Sequence, residues 1–251
     1  MKCKEIVVAR DTVKVARRAF LAGLFFVFGC FGLLSETMDV LWGMATAIAR
    51  ENEDWVAGLV ELSVEEFTIK GVLKSSRAVS YRLLPAEDGE IESRLVRYVE
   101  DGQDVTEQKQ DTDQSQGGGF LWGIEETPFS PGVSEGLVVR RNGEHAEVAG
   151  KSCAVFVFEF NSREDEIMVG TAWLDEVSGA PLKMEIGPKD LPRFVHELSS
   201  TVYYDHWSPK QWYPSRVSIE ATGGMLLFKR AFKMEMVLSE HWQRPVSSSS
   251  D

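Results

Sequence analysis

The feature that most constrains the fold of this chain is a succession of short segments in which apolar and polar residues alternate. A period of two is typical of strands that bury one face, because successive side chains point to opposite sides of a sheet. Turn-forming residues separate the segments, which favours an antiparallel meander. The predicted strands are 66–73, 78–84, 93–99, 155–160, 167–174, 181–186, 200–207, 212–220 and 225–238.

The alternation gathers large apolar side chains on one face of the predicted sheet, most clearly at the even positions of 154–160 and 226–238. Few helices are predicted to cover this face, so the sheet must curl on itself or leave a concave apolar surface. For any single residue, a place in an ordinary packed core is the alternative. The residues predicted to line a hydrophobic cavity are Phe156, Phe158, Phe160, Trp173, Phe228, Arg230, Phe232 and Met234.

Arg230 is the charged exception on this apolar face. A buried guanidinium is costly unless it is paired, so the side chain must find a partner, reach the rim or meet a polar ligand group such as a lipid head group. An edge position, or a bulge that shifts the alternation, would explain it equally well.

Three further segments complete the prediction of a single β-rich domain over 36–242, and a separate tail follows it. Residues 36–50 predict an amphipathic helix, because apolar side chains recur there at three- and four-residue steps. A short helix is predicted at 189–199. Residues 100–119 contain almost nothing apolar, which predicts a long surface loop or a disordered insertion. The tail over 243–251 is predicted to be disordered.

The first residues of the chain predict export. Arg17 and Arg18 are followed by the uncharged, apolar run 19–29, which is the layout of a secretory signal. The apolar stretch to Leu34 is shorter than the roughly 20 residues that span a bilayer. Residues 1–35 are therefore predicted to be a signal peptide or an N-terminal membrane anchor, and the protein is expected in the bacterial periplasm or anchored facing it.

Cys30 is predicted to be a lipidation site, because the segment VFGC at 27–30 resembles a bacterial lipobox. The alternative is a cysteine in an apolar leader that is cut elsewhere or not at all. With a lipidated Cys30 or an uncleaved leader, the N-terminus would hold the protein at a membrane.

The charge of the chain argues against nucleic acid as a partner. The formal net charge is −12, and beyond residue 30 there remain 21 basic and 37 acidic side chains. Such a surface repels phosphate backbones.

The sequence does not predict an enzyme, a metal site or a cofactor. His145, His196, His206 and His241 are far apart, and neither an HExxH pattern nor a G-x-S-x-G elbow is present. Asp205 and His206 are adjacent, but neighbouring strand residues point to opposite faces.

Three motifs follow one another in the second half of the chain: Trp173-Leu174-Asp175, Gly179-Ala180-Pro181 and Trp212-Tyr213-Pro214-Ser215-Arg216. With the apolar strand before them, they make residues 150–240 resemble the LolA/LolB-like superfamily of lipoprotein carriers. The resemblance implies a mainly β (α+β) fold: a curved antiparallel sheet forming a half-open barrel, with an N-terminal amphipathic helix and one or two short helices. It also implies a cavity that accepts acyl chains or lipid-modified segments. The insertion at 100–119 departs from the compact carriers.

Three functional hypotheses follow. In the first, a non-catalytic envelope protein binds a lipid or a lipoprotein acyl chain, for lipoprotein sorting or lipid carriage. In the second, the sheet is filled by its own side chains, and an envelope scaffold presents the 100–119 loop to a protein partner. The third is a hydrolase with an unrecognised site.

Overall fold

Most strands of the molecule pair with the strand that precedes or follows them in the chain. In this computed structural model the described residues are 39–86, 90–110, 127–133, 136–162, 166–208, 211–225 and 228–244. They belong to the compact unit Asp39–Asp251. The predicted leader, Cys30, residues 111–119 and most of the predicted tail lie outside them.

The strands, in chain order, are β1 (Trp55–Val56), β2 (Leu59–Thr68), β3 (Leu73–Pro85), β4 (Ile91–Glu100), β5 (Gln103–Asp104), β6 (Val138–Val148), β7 (Lys151–Asn161), β8 (Ile167–Asp175), β9 (Pro181–Pro188), β10 (Val195–Ser208), β11 (Gln211–Met225), β12 (Phe228–Ser239) and β13 (Trp242–Gln243). The helices are α1 (Val40–Glu51) and α2 (Thr106–Gln110), and Pro131–Val133 forms a 3₁₀ turn. Neither helix of the described part has the length and apolar character that a membrane crossing requires.

The strand order confirms the predicted mainly β fold with an antiparallel meander. Within the described residues, eleven strands form one curved sheet in the order β5-β4-β3-β2-β12-β11-β10-β9-β8-β7-β6, and β1 pairs separately with β13. Every pairing is antiparallel. The edge strands β5 and β6 do not pair with each other, so the sheet stays open.

One face of the sheet surrounds a single hydrophobic core. Leu62 on β2, Met236 on β12 and Phe156 on β7 belong to the same core cluster. In a flat sheet β2 and β7 would lie about 29 Å apart, at roughly 4.8 Å between neighbouring strands. Curvature lets side chains from both halves of the sheet enclose one core, and the core face is therefore the concave face.

The predicted strand at 66–73 has the wrong bounds. β2 ends at Thr68 and β3 starts at Leu73. The Thr68 N–H donates to the Val72 carbonyl (2.8 Å) and closes a turn between the two strands. Similarly, the predicted strand at 225–238 includes the end of β11 and all but the last residue of β12.

The predicted helix at 189–199 is wrong, because β10 begins at Val195. Pro192 lacks the N–H that a helix interior requires, and Phe194 adopts a φ of 79°, outside the helical region. From Val195 onward the chain pairs with β11.

The predicted loop at 100–119 contains regular structure in its first half. β5 and α2 both lie there, and the Asp104 side chain accepts hydrogen bonds from the Thr106 N–H (3.1 Å) and hydroxyl (2.6 Å) at the start of α2. These two donors hold the pKa of Asp104 below its ordinary value. The expectation of a loop fails for 103–110 because local capping supplies the order that apolar burial does not.

Helix α1 begins four residues later than predicted. Asp39 is its N-cap, since its carboxylate accepts the Leu41 N–H (2.9 Å). The helix ends at Glu51, and the Asn52 N–H donates to the carbonyls of Ile48 and Ala49. Trp42 and Ala45 are its fully buried side chains, and they turn towards the concave face.

Gly179 allows α1 to sit against the turn between β8 and β9. The residue has a φ of 70°, and its N–H donates to the Asp175 carbonyl (2.9 Å). A Cβ at this position would lie 2.9 Å from both the Leu41 carbonyl oxygen and the Met44 Cβ. The missing side chain therefore gives α1 the space that it occupies.

Replacing Gly179 with Ala is expected to lower the free energy of unfolding by about 2–4 kcal/mol. Roughly 1–2 kcal/mol comes from the left-handed backbone, and overpacking against α1 adds about 1–2 kcal/mol. Gly150→Ala is the matched control, since Gly150 has a φ of 78° and nothing within 4 Å of its Cβ position. Urea denaturation of the two variants measures the difference, and equal losses would contradict the role of α1.

Candidate functional site

The three predicted phenylalanines of β7 lie on the concave face but are closed off. Phe156, Phe158 and Phe160 are all buried. The Trp42 ring lies 5.6 Å from the Phe156 ring and 6.1 Å from the Phe158 ring, and the Phe129 ring lies 4.8 Å from Trp42. Here the structure shows a packed core, with α1 and Phe129 occupying the space above β7.

Trp173 is not part of the concave face, which corrects its predicted place in the cavity. Its neighbours along β8, Ala172 and Leu174, are fully buried in the core, so the Trp173 side chain points to the opposite face. There the Lys183 ammonium lies 4.5 Å from the centre of its ring.

The Phe158 ring on β7 requires a glycine at one inward position of β8. A Cβ on Gly170 would collide with the Phe158 ring and with the Glu185 carbonyl. The other inward residues of β8 are Met168, Ala172 and Leu174, which pack in or against the core.

Phe232 and Met234 lie on the concave face at a place that α1 does not cover. Phe232 pairs with Ala221 on β11 and Glu66 on β2, and 44% of its surface is exposed. Met234 pairs with Ile219 and Val64 and is half-buried. Phe228 begins β12, and its side chain lies outside the described part.

Arg230 is paired, which is one of the solutions that its sequence position allowed. Its Nε–H donates to Glu66 Oε1 (2.6 Å), across the diagonal between β12 and β2. Both side chains remain partly exposed. The ion pair thus stands at the rim of the uncovered area rather than in the core.

These residues form a continuous strip across five strands, which we call the concave apolar surface. By strand spacing it is about 19 Å wide. It is apolar along most of its width and ends at the Arg230–Glu66 pair. Its members are Val64, Glu66, Ile186, Ser200, Ile219, Arg230, Phe232 and Met234.

A cavity of about 690 Å³ lies elsewhere, on the flank of α1, and we call it the α1 cavity. Its walls come from α1, from the turn after β8, from the start of β7 and from the end of β10. They include Met44, Ile48, Lys151, Asp175, Val177 and His206. None of these residues was singled out as a site residue from the sequence, because they come together from four separate elements.

Two buried indole groups in the core lack hydrogen-bond acceptors. Within the described residues, neither Trp42 Nε1 nor Trp212 Nε1 has a partner. Both rings contact Phe129. A third donor, the Tyr204 hydroxyl, reaches only the weakly accepting Met184 sulfur (3.9 Å), and burial raises the pKa of Tyr204 well above its ordinary value. The side chains around these buried N–H and O–H donors are thus apolar and offer them no strong hydrogen-bond acceptor.

The titratable side chains of the described residues pair locally and do not gather into a metal-binding cluster. The described residues contain no group of three or more His, Cys, Asp or Glu side chains arranged to hold a metal ion. His145 Nδ1 lies 2.8 Å from Glu176 Oε1, whereas His206 Nε2 lies 2.8 Å from the Pro181 carbonyl oxygen, so the two rings serve different local contacts.

Comparisons with known proteins find similar structures. No family model matches the sequence, and no curated protein matches it. The chain is similar to an outer-membrane lipoprotein-sorting protein domain from Vibrio parahaemolyticus, with 13% identity over 84% of this chain and 95% of that one, at a TM-score of 0.39. It is similar to a LolA superfamily protein from Nitrosomonas europaea, with 10% identity, coverages of 82% and 93% and a TM-score of 0.37.

A third similar structure is a chain of the MucA/MucB complex from Pseudomonas aeruginosa. The identity is 10%, the coverages are 83% of this chain and 100% of that one, and the TM-score is 0.23. These likenesses concern the fold alone.

Replacing Trp42 with β-(3-benzothienyl)alanine, which keeps the ring shape but lacks the N–H, is expected to raise the free energy of unfolding by about 1 kcal/mol. The reason is that a buried donor without an acceptor costs roughly 1–3 kcal/mol. The same replacement at Trp242, whose Nε1–H donates to the Leu83 carbonyl (3.2 Å), should instead lower it by about 1 kcal/mol. Urea denaturation of both variants measures the two changes. A lower free energy of unfolding for the Trp42 variant would contradict the prediction and indicate that the indole N–H has an acceptor, such as a bound water.

Proposed function

We propose that this chain is a non-catalytic envelope protein that binds a lipid or lipoprotein acyl chain on its concave apolar surface. The observation that carries the proposal is the uncovered position of Phe232 beside Met234, on a curved face whose other part is closed by α1. A ligand that covers this strip gains binding free energy, since apolar surface removed from water contributes about 25 cal/mol per Å².

The shape of the surface suits a chain-like ligand. Its apolar side chains lie side by side across β2, β12 and β11, with Ser200 between Ile219 and Ile186, and end at one charged pair. An alkyl chain laid across them would bring its polar end towards Arg230. The guanidinium can then exchange part of its contact with Glu66 for a phosphate, carboxylate or ester oxygen.

The proposal also includes export of the protein and its attachment to a membrane through the N-terminus. Residues 1–35 carry the pattern of a secretory signal, and Cys30 follows a lipobox-like segment. We infer that binding takes place at the bacterial envelope, with Cys30 as the tether if it is lipidated. Lipoprotein sorting or lipid carriage is the role that such a surface supports best.

One observation favours the second hypothesis, a scaffold with a self-filled core. Trp42 and Phe129 occupy the space over β7, so this part of the half-barrel holds the chain's own side chains. The two hypotheses differ at Phe232: a scaffold has no need of a free apolar strip there.

Phe232→Ser is expected to weaken binding of a pyrene-labelled fatty acid to the purified full chain by about tenfold, because it removes apolar contact area from the strip. Tyr203→Ser is the matched control. Tyr203 is 38% exposed and lies on the opposite face, between the buried Val202 and Tyr204. Fluorescence titration measures both variants, and equal affinities would contradict the location of the site.

Arg230→Leu is expected to weaken a fatty acid more than the fatty alcohol of the same length, because the guanidinium contacts the charged end. The pair with Glu66 is partly exposed, so the change should alter the free energy of unfolding by less than about 1 kcal/mol. Lipid extraction followed by mass spectrometry of the native chain provides an independent test. A chain that purifies free of acyl lipid and binds neither probe would overturn the proposed function.

A further inference from the structure

The α1 cavity is separate from the concave apolar surface. The residues that line it share no member with that surface, and they lie at the end of the sheet where β7 begins and β8 and β10 end. Its volume of about 690 Å³ falls within the roughly 300–1,000 Å³ that is usual for sites of small ligands. An acyl chain on the concave surface would leave it empty.

One wall of the α1 cavity is a second apolar stripe on α1. Met44, Ala47 and Ile48 stand at helical spacing, whereas the fully buried Trp42 and Ala45 lie on another side of the helix. A helix with one buried face ordinarily carries polar residues on its outer side. Ile48 also packs against the core, whereas Met44 and Ala47 are exposed and add apolar surface that the packing of α1 on the sheet does not use.

The rim of the cavity exposes further aliphatic surface. Val177, at the tip of the turn after β8, is 89% exposed, and Met44 is also exposed. Both side chains line the cavity. Their apolar surface remains in contact with water, and an aliphatic ligand group in the cavity would cover it.

The polar side chains that line the cavity already make hydrogen bonds and an ion pair with other residues of the protein. His206 Nε2 donates to the Pro181 carbonyl (2.8 Å), because a carbonyl can only accept. The other ring nitrogen, Nδ1, is then an acceptor for the Lys151 ammonium at 3.3 Å. Lys151 also lies 4.0 Å from Asp175, so its charge is shared between two neighbours.

The remaining charge in the cavity is negative. Burial opposes ionisation of Asp175, but the backbone N–H groups of Ser178 and Val177 outweigh it and hold the pKa of the carboxyl below its ordinary value. Glu51 also lines the cavity and forms no ion pair with a described residue. It stands at the C-terminal end of α1, where the helix carbonyls add partial negative charge.

From these contacts we propose that the α1 cavity is a second binding site, for an aliphatic group that carries a positively charged nitrogen. The alkyl part packs between the α1 stripe and Val177, and the ammonium lies towards Glu51. The site is independent of the acyl-binding function proposed above, since it uses other residues and prefers the opposite charge.

The test compares octylammonium with octanoate, which share the alkyl chain and differ in charge. Isothermal titration of the full chain at low ionic strength is expected to show octylammonium binding at least about threefold more tightly than octanoate. Glu51→Gln should reduce that preference. Glu53→Gln, which removes the same charge from an exposed residue outside the cavity, should preserve it.

Two further variants locate the site. Val177→Ser should weaken octylammonium by about threefold without unfolding the chain, because Val177 makes little buried contact. Phe232→Ser should leave octylammonium unchanged. The proposal is overturned if octylammonium fails to saturate, if octanoate binds equally well, or if Phe232→Ser weakens octylammonium as much as Val177→Ser does.

Discussion

The packing of Trp42 onto the phenylalanines of β7 is the interaction on which the rest of the structure depends. Helix α1 has two fully buried side chains, and the indole is by far the larger of them. It reaches Phe156, Phe158 and Phe129 and closes the concave face at that end of the sheet. Without it, a half-curled sheet would expose a long apolar face to water.

The position of α1 also divides the apolar surface between two sites. Towards β12 the helix leaves Phe232 and Met234 without cover, and on its own flank it walls the α1 cavity. Gly179 fixes this position, because the helix backbone passes where a side chain would otherwise stand. The proposed acyl-binding strip and the proposed site in the α1 cavity therefore both depend on one helix placement.

The sequence predicts the local features of this fold and misses those that depend on distant partners. The meander and α1 follow from periodicities within single segments. Trp173 points outward because its neighbours Ala172 and Leu174 pack into a core that distant strands complete. The segment 167–174 by itself does not show which of its two faces that core covers.

The same limit applies to the site. Arg230 could be recognised as needing a partner, but Glu66 is 164 residues away in the chain and could not be named. The sequence does not predict strand β6. Polar and charged residues fill its middle, from Arg140 to Glu144, so the segment shows no alternation of apolar and polar residues. The sequence does not predict the α1 cavity for a related reason, since its walls come from four elements that only the folded sheet brings together.

The strand order has a consequence for how the molecule is made. β2, near the start of the described chain, pairs along its whole length with β12, near the end, and this pair lies inside the sheet rather than at an edge. Until β12 has emerged from synthesis or translocation, β2–β5 and β6–β11 remain two partial sheets with unpaired edges at their shared boundary. Long-range pairing of this kind is slow and leaves edges open to association in the meantime. A chain truncated before β12 would therefore lack the strand that pairs with both β2 and β11 and joins the two partial sheets.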